Sequence, residues 1–203
     1  MREFLYYSKH ARTSGNFDLS DLMKAGRMDI ACQIAIMAFF LSHKIRQNVK
    51  LHLLFDGGPD PPKHLELYPG ENIEKQGERI DISKKDVAGL LKKMLYKYKP
   101  GIKHEIAPGY TIEKKSFEKV IEELYEEGKD IYLLDDRGKD IREIKDKKLK
   151  NAVFIIGDQD GLPNEKMRKL KRLGIKKVSV GNKTYFASQV TTIIQNELDR
   201  RRY

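Results

Sequence analysis

The 203-residue sequence contains no tryptophan and one cysteine, Cys32. A single cysteine excludes an internal disulfide and a metal site built from several thiolates. The longest apolar run, Ile30–Leu41, falls short of the roughly 20 residues that a membrane-spanning helix needs. The first ten residues, MREFLYYSKH, lack the apolar core and cleavage site of a signal peptide. These absences lead us to expect a soluble, cytoplasmic protein with Cys32 as a small core residue and with no membrane partner.

Catalytic signatures are also scarce. No GxxxxGK[ST] phosphate loop occurs, and Gly157 and Gly161 lack the third glycine of a GxGxxG loop. Asp158 and Asp160 begin like a calcium loop, but Leu162 and Pro163 stand where ligands and turns are required. No GxSxG elbow is present. His10, His43, His52, His64 and His104 show no metal-ligand spacing, so no metal is expected.

The chain is rich in charge. Lys and Arg number 40 against 30 Asp and Glu, a formal net charge of +10. Such a surplus suits a polyanion such as nucleic acid. With 34% of residues charged, a solvated surface accounts for it equally well. The 39% apolar content is enough to fold a compact core.

Periodicity organises the rest. Arg2–Tyr7 alternates as a first strand, and residues 8–28 form a long polar segment of the kind that often carries function. Ile30–Leu41 reads as a helix apolar on nearly every side, which must be covered from more than one direction. Val49–Phe55 is a strand closed by Asp56-Gly57-Gly58-Pro59. Residues 59–76 hold five Pro or Gly and suggest turns, with a small hairpin elaboration near 60–82. Asp81 or Ser83 caps a helix running to about Tyr98, and Ser116 caps another that Gly128 ends. Asp130–Leu134, Ala152–Ile156 and Ile175–Val180 are strands, while Asn164–Leu173 and Ala187–Arg201 are helices. The alternation predicts one α/β domain over 1–203, a mostly parallel sheet flanked by helices.

Ligands of open α/β sheets bind beyond the carboxyl ends of the strands. Three such ends carry suitable chemistry: Leu133-Leu134-Asp135, Gly157–Gly161 and Ser179–Asn182. Glycines there let a nucleotide-like ligand approach the backbone, although ordinary loops have similar composition.

Two longer segments are more specific. FIIGDQDGLP at Phe154–Pro163 and VSVGNKTYFASQVTTIIQNEL at Val178–Leu198 resemble, in order and separation, the two cofactor segments of SPOUT methyltransferases. Ala25–Pro62, AGRMDIACQIAIMAFFLSHKIRQNVKLHLLFDGGPDPP, resembles the archaeal tRNA pseudouridine-54 N1-methyltransferases. The resemblance covers nearly the whole chain. It implies a deep C-terminal trefoil knot, a homodimer and tRNA as partner. It also implies S-adenosylmethionine as cofactor, contacted by Leu134, Gly157, Val180, Gly181, Asn182, Thr184, Tyr185 and Ala187, with Ser188 beside it. Tyr185 has core packing as its alternative.

Methylating N1 of pseudouridine requires loss of its proton, and an activated sulfonium methyl needs no metal. Arg12, Arg27 and Asp29, in or just after the polar segment, are the candidate substrate residues. The arginines can bind phosphate or polarise a base oxygen. Asp29 can orient the base or take its proton, although a carboxylate also suits a helix N-terminus. Seven cations between Lys166 and Lys177 offer a face for an RNA backbone, or a solvated helix. Tyr6, Tyr7 and Phe17 are either stacking platforms for a displaced base or core. Three other readings share these features: an rRNA pseudouridine N1-methyltransferase, a non-catalytic RNA-binding assembly factor, and an unrelated nucleotide-binding protein.

Overall fold

A computed structural model describes residues 1–42, 44–70 and 84–203. His43, the caps expected at Asp81 or Ser83, and most of the segment near 60–82 lie outside the described residues.

The strands are β1 (Arg2–Ser8), β2 (Val49–Phe55), β3 (Lys63–Leu67), β4 (His104–Ala107), β5 (Tyr110–Glu113), β6 (Asp130–Asp140), β7 (Ala152–Ile156) and β8 (Lys176–Ser179). They form an eight-stranded sheet in the order β4-β5-β3-β2-β1-β7-β6-β8. The run from β2 to β8 is parallel, and β3, β5 and β4 extend it antiparallel at one end.

The helices are α1 (Met28–Phe39), α2 (Lys84–Tyr96), α3 (Phe117–Glu126), α4 (Asp146–Leu149), α5 (Asn164–Arg172) and α6 (Ala187–Arg200). Successive side chains of a strand point to opposite faces. Phe4, Tyr6, Leu51, Leu53, Phe154 and Ile156 therefore pack under α1, α2 and α6. Leu5, Tyr7, Leu54, Val153 and Ile155 pack under α3 and α5. Cover on both faces explains why β7 is continuously apolar. Cys32 is fully buried in the first of these cores.

Helix α1 is apolar almost all round because α2 and α6 flank it while β1 and β2 lie beneath it. The last helix is fastened from two sides. Arg2 Nη1 donates to Gln195 Oε1 at 2.6 Å, and Gln195 Nε2 donates to the Ala38 carbonyl at 2.8 Å. Arg46 grips Asp199 through two bonds of 2.7 and 2.6 Å. Ser116 caps α3 as expected, accepting from the Lys119 amide at 3.3 Å.

Among the described residues, β4 and β5 form a hairpin at 104–113, and Lys63–Leu67 is a strand joining β2 to β5. β4 and β5 have only four residues each, too few for a readable alternation. β6 does not stop at Leu134: it bulges through 135–138 and pairs with β8 again at Lys139 and Asp140. Tyr6, Tyr7 and Phe17 are buried core, which removes them as stacking platforms for a base.

Candidate active site

A cavity of about 860 Å³ opens where β6, β7 and β8 end. That volume suits a nucleotide-sized ligand. Its floor includes Leu134, Ile156 and Val180, and its rim includes Gly157, Gly181 and Tyr185. The first residues of α1 and α6 complete the wall. Two helix N-termini thus face one space, where partial positive charge favours an anionic group.

The three strand ends are tied together. Asp158 is buried and accepts from the backbone amides of Lys9 at 2.8 Å and Asp160 at 3.0 Å. The Gly157–Gly161 loop is thereby pinned to the segment after β1. Thr184 Oγ1 donates to Asp136 Oδ2 at 2.9 Å, linking the loop after β8 to the bulge of β6. Lys177 donates to Asp135 Oδ2 at 2.5 Å. Burial disfavours ionisation of Asp135, but Lys177 and the Arg137 amide outweigh it and hold the carboxyl below its ordinary range.

Arg27 and Asp29 form the polar corner. Arg27 Nε and Nη2 donate to the two oxygens of Asp29 at 3.0 and 3.1 Å. Such a two-point contact fixes both planes. Asp29 is 7% exposed, while Arg27 is half-buried at the cavity wall. Arg27 has φ of 64°, a left-handed conformation unfavourable for a side chain of its size. Gly26, at φ of 70°, makes that turn possible: a Cβ on it would lie 1.7 Å from the His10 carbonyl oxygen.

Of the residues singled out in the sequence, Leu134, Gly157, Val180, Gly181, Thr184, Tyr185, Ala187, Arg27 and Asp29 line this cavity, as does Ser188. Asn182 and Arg12 do not. Asn182 is exposed on the loop, and Arg12 is an exposed residue whose Nη1 donates to the Asn16 carbonyl at 3.1 Å. Tyr185 is 41% exposed, so core packing does not account for it. Sequence reasoning missed Gln33 and Gln189 on the cavity wall. Their signal was a polar residue near the start of an otherwise apolar helix face.

The basic segment 164–177 divides in two. Lys166 is buried, paired with Asp56 at 3.2 Å and Glu118 at 3.1 Å over the rings of Tyr7 and Phe117. Lys169 pairs with Glu122, and Lys177 with Asp135. Those three are not available as a phosphate-binding row. Arg168, Lys171, Arg172 and Lys176 stay exposed, without an ion pair to another described residue.

Comparison with known proteins gives a consistent pattern. A family model described as a SAM-dependent RNA methyltransferase matches residues 1–203. Three archaeal relatives carry the name tRNA (pseudouridine(54)-N(1))-methyltransferase. The one from Methanococcus aeolicus is 34% identical, covering 98% of each chain. That of Methanocaldococcus jannaschii is 32% identical over 100% of this chain and 98% of its own. The Pyrococcus abyssi protein is 34% identical over 98% of both. Among solved structures, Archaeoglobus fulgidus Nep1 bound to S-adenosylhomocysteine superposes with a TM-score of 0.64. It covers 99% of this chain and 98% of its own at 16% identity, a likeness of fold.

Proposed function

Because the chain belongs to the SAM-dependent RNA methyltransferase family along its full length, we propose that it methylates N1 of pseudouridine 54 in tRNA. The observation that carries the proposal is the cavity at the ends of β6, β7 and β8, with Arg27 and Asp29 on its wall. S-adenosylmethionine fits that cavity. Space in front of the Gly181 α-carbon is open, since a Cβ there would meet no described residue within 4 Å. Leu134, Ile156 and Val180 supply an apolar floor, and the backbone at Gly157 and Gly181 supplies polar groups. The bound cofactor contributes an activated methyl on a sulfonium.

The chain's own residues handle the proton and the base. Each Asp29 oxygen gives one lone pair to Arg27 and keeps another. Asp29 therefore accepts the N1 proton while the guanidinium balances its charge. Arg27 has N–H groups left over to donate to a base oxygen as negative charge develops there. Thr184, through Asp136, keeps the two cofactor loops in register. Asn182 and Arg12, outside the cavity, serve best at its margin, with Arg12 toward the RNA backbone.

The wider reading is a single SPOUT domain over 1–203 acting as a cytoplasmic homodimer. Its C-terminal knot is supported by the way 135–138 wraps around Val178: Leu134 and Lys139 both pair with that one residue. The dimer is supported by Phe186, 79% exposed at the start of α6, and by the exposed Met37 on α1 and Leu41 just after it.

The decisive assay is methyl transfer from labelled S-adenosylmethionine to tRNA transcripts, one set carrying pseudouridine at position 54 and one carrying uridine. Label at N1 in the first set alone is the expected result. Absence of label in both, with cofactor binding intact, would overturn the assignment and favour rRNA fragments as substrate or a non-catalytic RNA-binding role.

Charge reversal at Arg12 separates RNA from cofactor binding. Arg12→Glu is expected to weaken tRNA binding roughly 10-fold and to lower the salt slope by about one. Cofactor affinity, measured by calorimetry, stays the same; its loss would sink the role given to Arg12.

A further inference from the structure

A second cluster of ionisable groups lies on the sheet face that carries α3 and α5, apart from the cavity. It crosses four strands: Glu3 on β1, His52 on β2, His64 and Glu66 on β3, and Glu113 on β5. His52 Nδ1 is 2.9 Å from His64 Nε2, and the two ring planes lie within 16° of each other. His64 Nδ1 is 3.0 Å from Glu113 Oε1, and His52 Nε2 faces Glu3 Oε2 at 3.7 Å. Glu66 Oε2 stands 3.9 Å from His52 Nδ1. His52 and His64 are 4% and 3% exposed.

The hydrogen bonding of this chain of contacts leaves one buried nitrogen, His52 Nε2, without a partner among the described residues. Glu3 is ion-paired with Lys129 and Glu113 with Lys115, so both carboxylates only accept. Two neutral imidazoles own two N–H groups, one each. Two contacts are at hydrogen-bond distance, His52 with His64 and His64 with Glu113, while His52 Nε2 stands 3.7 Å from Glu3, too far for a third. Turning both protons outward to the carboxylates sets His52 Nδ1 and His64 Nε2 lone pair against lone pair at 2.9 Å. Turning one inward leaves the buried His52 Nε2 facing Glu3 without a proton, and that atom has no hydrogen-bond partner among the described residues.

A divalent cation between the facing nitrogens lets both protons turn outward, and the third ligand is in place. The ligand atoms of His52, His64 and Glu66 lie within 4.8 Å of one another. We propose that these three residues bind one zinc ion. The outward N–H of each histidine then faces a carboxylate, Glu3 or Glu113, the outer-shell arrangement that orients metal-bound imidazoles. Two imidazole nitrogens and one carboxylate oxygen are a zinc donor set with one position left for water. Zn–N distances of about 2.0–2.1 Å place tetrahedral nitrogens roughly 3.3 Å apart. The two rings therefore separate by a few tenths of an ångström, and Glu66 moves inward by roughly 1 Å. None of these residues lines the cavity at the ends of β6, β7 and β8, so the ion clamps β2 to β3 rather than taking part in methyl transfer.

The test uses the full-length chain, stripped with a chelator and titrated with zinc chloride against a chromophoric competitor. One zinc per chain is expected, with Tm raised by about 5–10 °C at a hundredfold excess over Kd. Cobalt(II) should give the intense visible bands of four-coordination. Glu66→Gln, nearly isosteric and partly exposed, should weaken zinc binding roughly 100-fold while keeping the apo fold, and His64→Gln should do likewise. His10→Ala, which alters an exposed His–Asp pair, should bind as the native chain does. Failure of the native chain to take up stoichiometric zinc would overturn the site and leave a proton shared between the histidines. Binding undiminished by Glu66→Gln and His64→Gln would overturn it equally.

Discussion

Replacing Asp29 by Asn is expected to lower methyl transfer by about 10²- to 10⁴-fold, the usual range for loss of a proton-accepting group. Cofactor affinity should change little. The amide keeps the shape of the carboxylate but loses its charge, and its NH2 meets a guanidinium that also only donates. The two bonds of 3.0 and 3.1 Å therefore cannot both survive. Single-turnover rates with saturating cofactor read the effect directly. A fall of less than about tenfold would reduce Asp29 to a brace for Arg27. Arg27→Gly distinguishes strain from chemistry. Glycine relieves the left-handed backbone at φ of 64°. Stability should then hold or rise while methyl transfer falls; a variant as active as the native chain would show that the guanidinium is dispensable.

Gly138→Ala is expected to be strongly destabilising. A Cβ at that position would lie 2.5 Å from both the nitrogen and the carbonyl carbon of Val178. Those are backbone atoms of β8 where it pairs with β6, so no side-chain rotation relieves the clash. The expected cost is about 3 kcal/mol, or a fall in Tm of roughly 6–12 °C for a chain of this size. Cofactor binding should weaken as well, because Val178 and the residues after it line the cavity. Gly89→Ala is the control. No atom of a described residue lies within 4 Å of its would-be Cβ, and it sits inside α2, where alanine favours the helix by about 1 kcal/mol. Thermal unfolding of the pair checks both signs. A Gly138→Ala protein as stable as the native chain would mean that the β6 bulge opens freely, and would remove the support it lends to a knotted C-terminus.

The elements legible in the sequence were those with strong local periodicity. α1, α3, α5, α6, β1, β2 and β7 lie within a few residues of where the apolar spacing and caps put them. β4 and β5 were not legible, because four-residue strands are held by partners rather than by their own pattern. The second half of β6 escaped for a related reason. Its residues Asp135–Asp140 are almost wholly polar, and only the return to Val178 and Ser179 makes a strand of them. Most of the cavity was legible, since glycine-containing strand ends are local features. Asn182 was not separable from its neighbours, because whether a loop residue faces a cavity depends on how the loop folds back.

By itself the sequence determined the layered α/β class, the burial of Cys32, the two glycine-containing segments that line the cavity and the candidacy of Arg27 and Asp29. Each is written in contiguous residues, through spacing, capping or a short motif. The tertiary structure alone decided that Lys166 is a buried ion-pair partner and not a phosphate contact, that Asp29 is gripped at both oxygens, and that His52 meets His64. Twelve positions separate those histidines, and no local rule relates them. They touch because β3 pairs antiparallel with β2 in one register, Leu53 opposite Leu65. A slip of one residue would turn every side chain of β3 to the other face. Burial of Leu65 and Leu67 in the core under α1 and α2 sets that register, and with it the histidine contact on the opposite face.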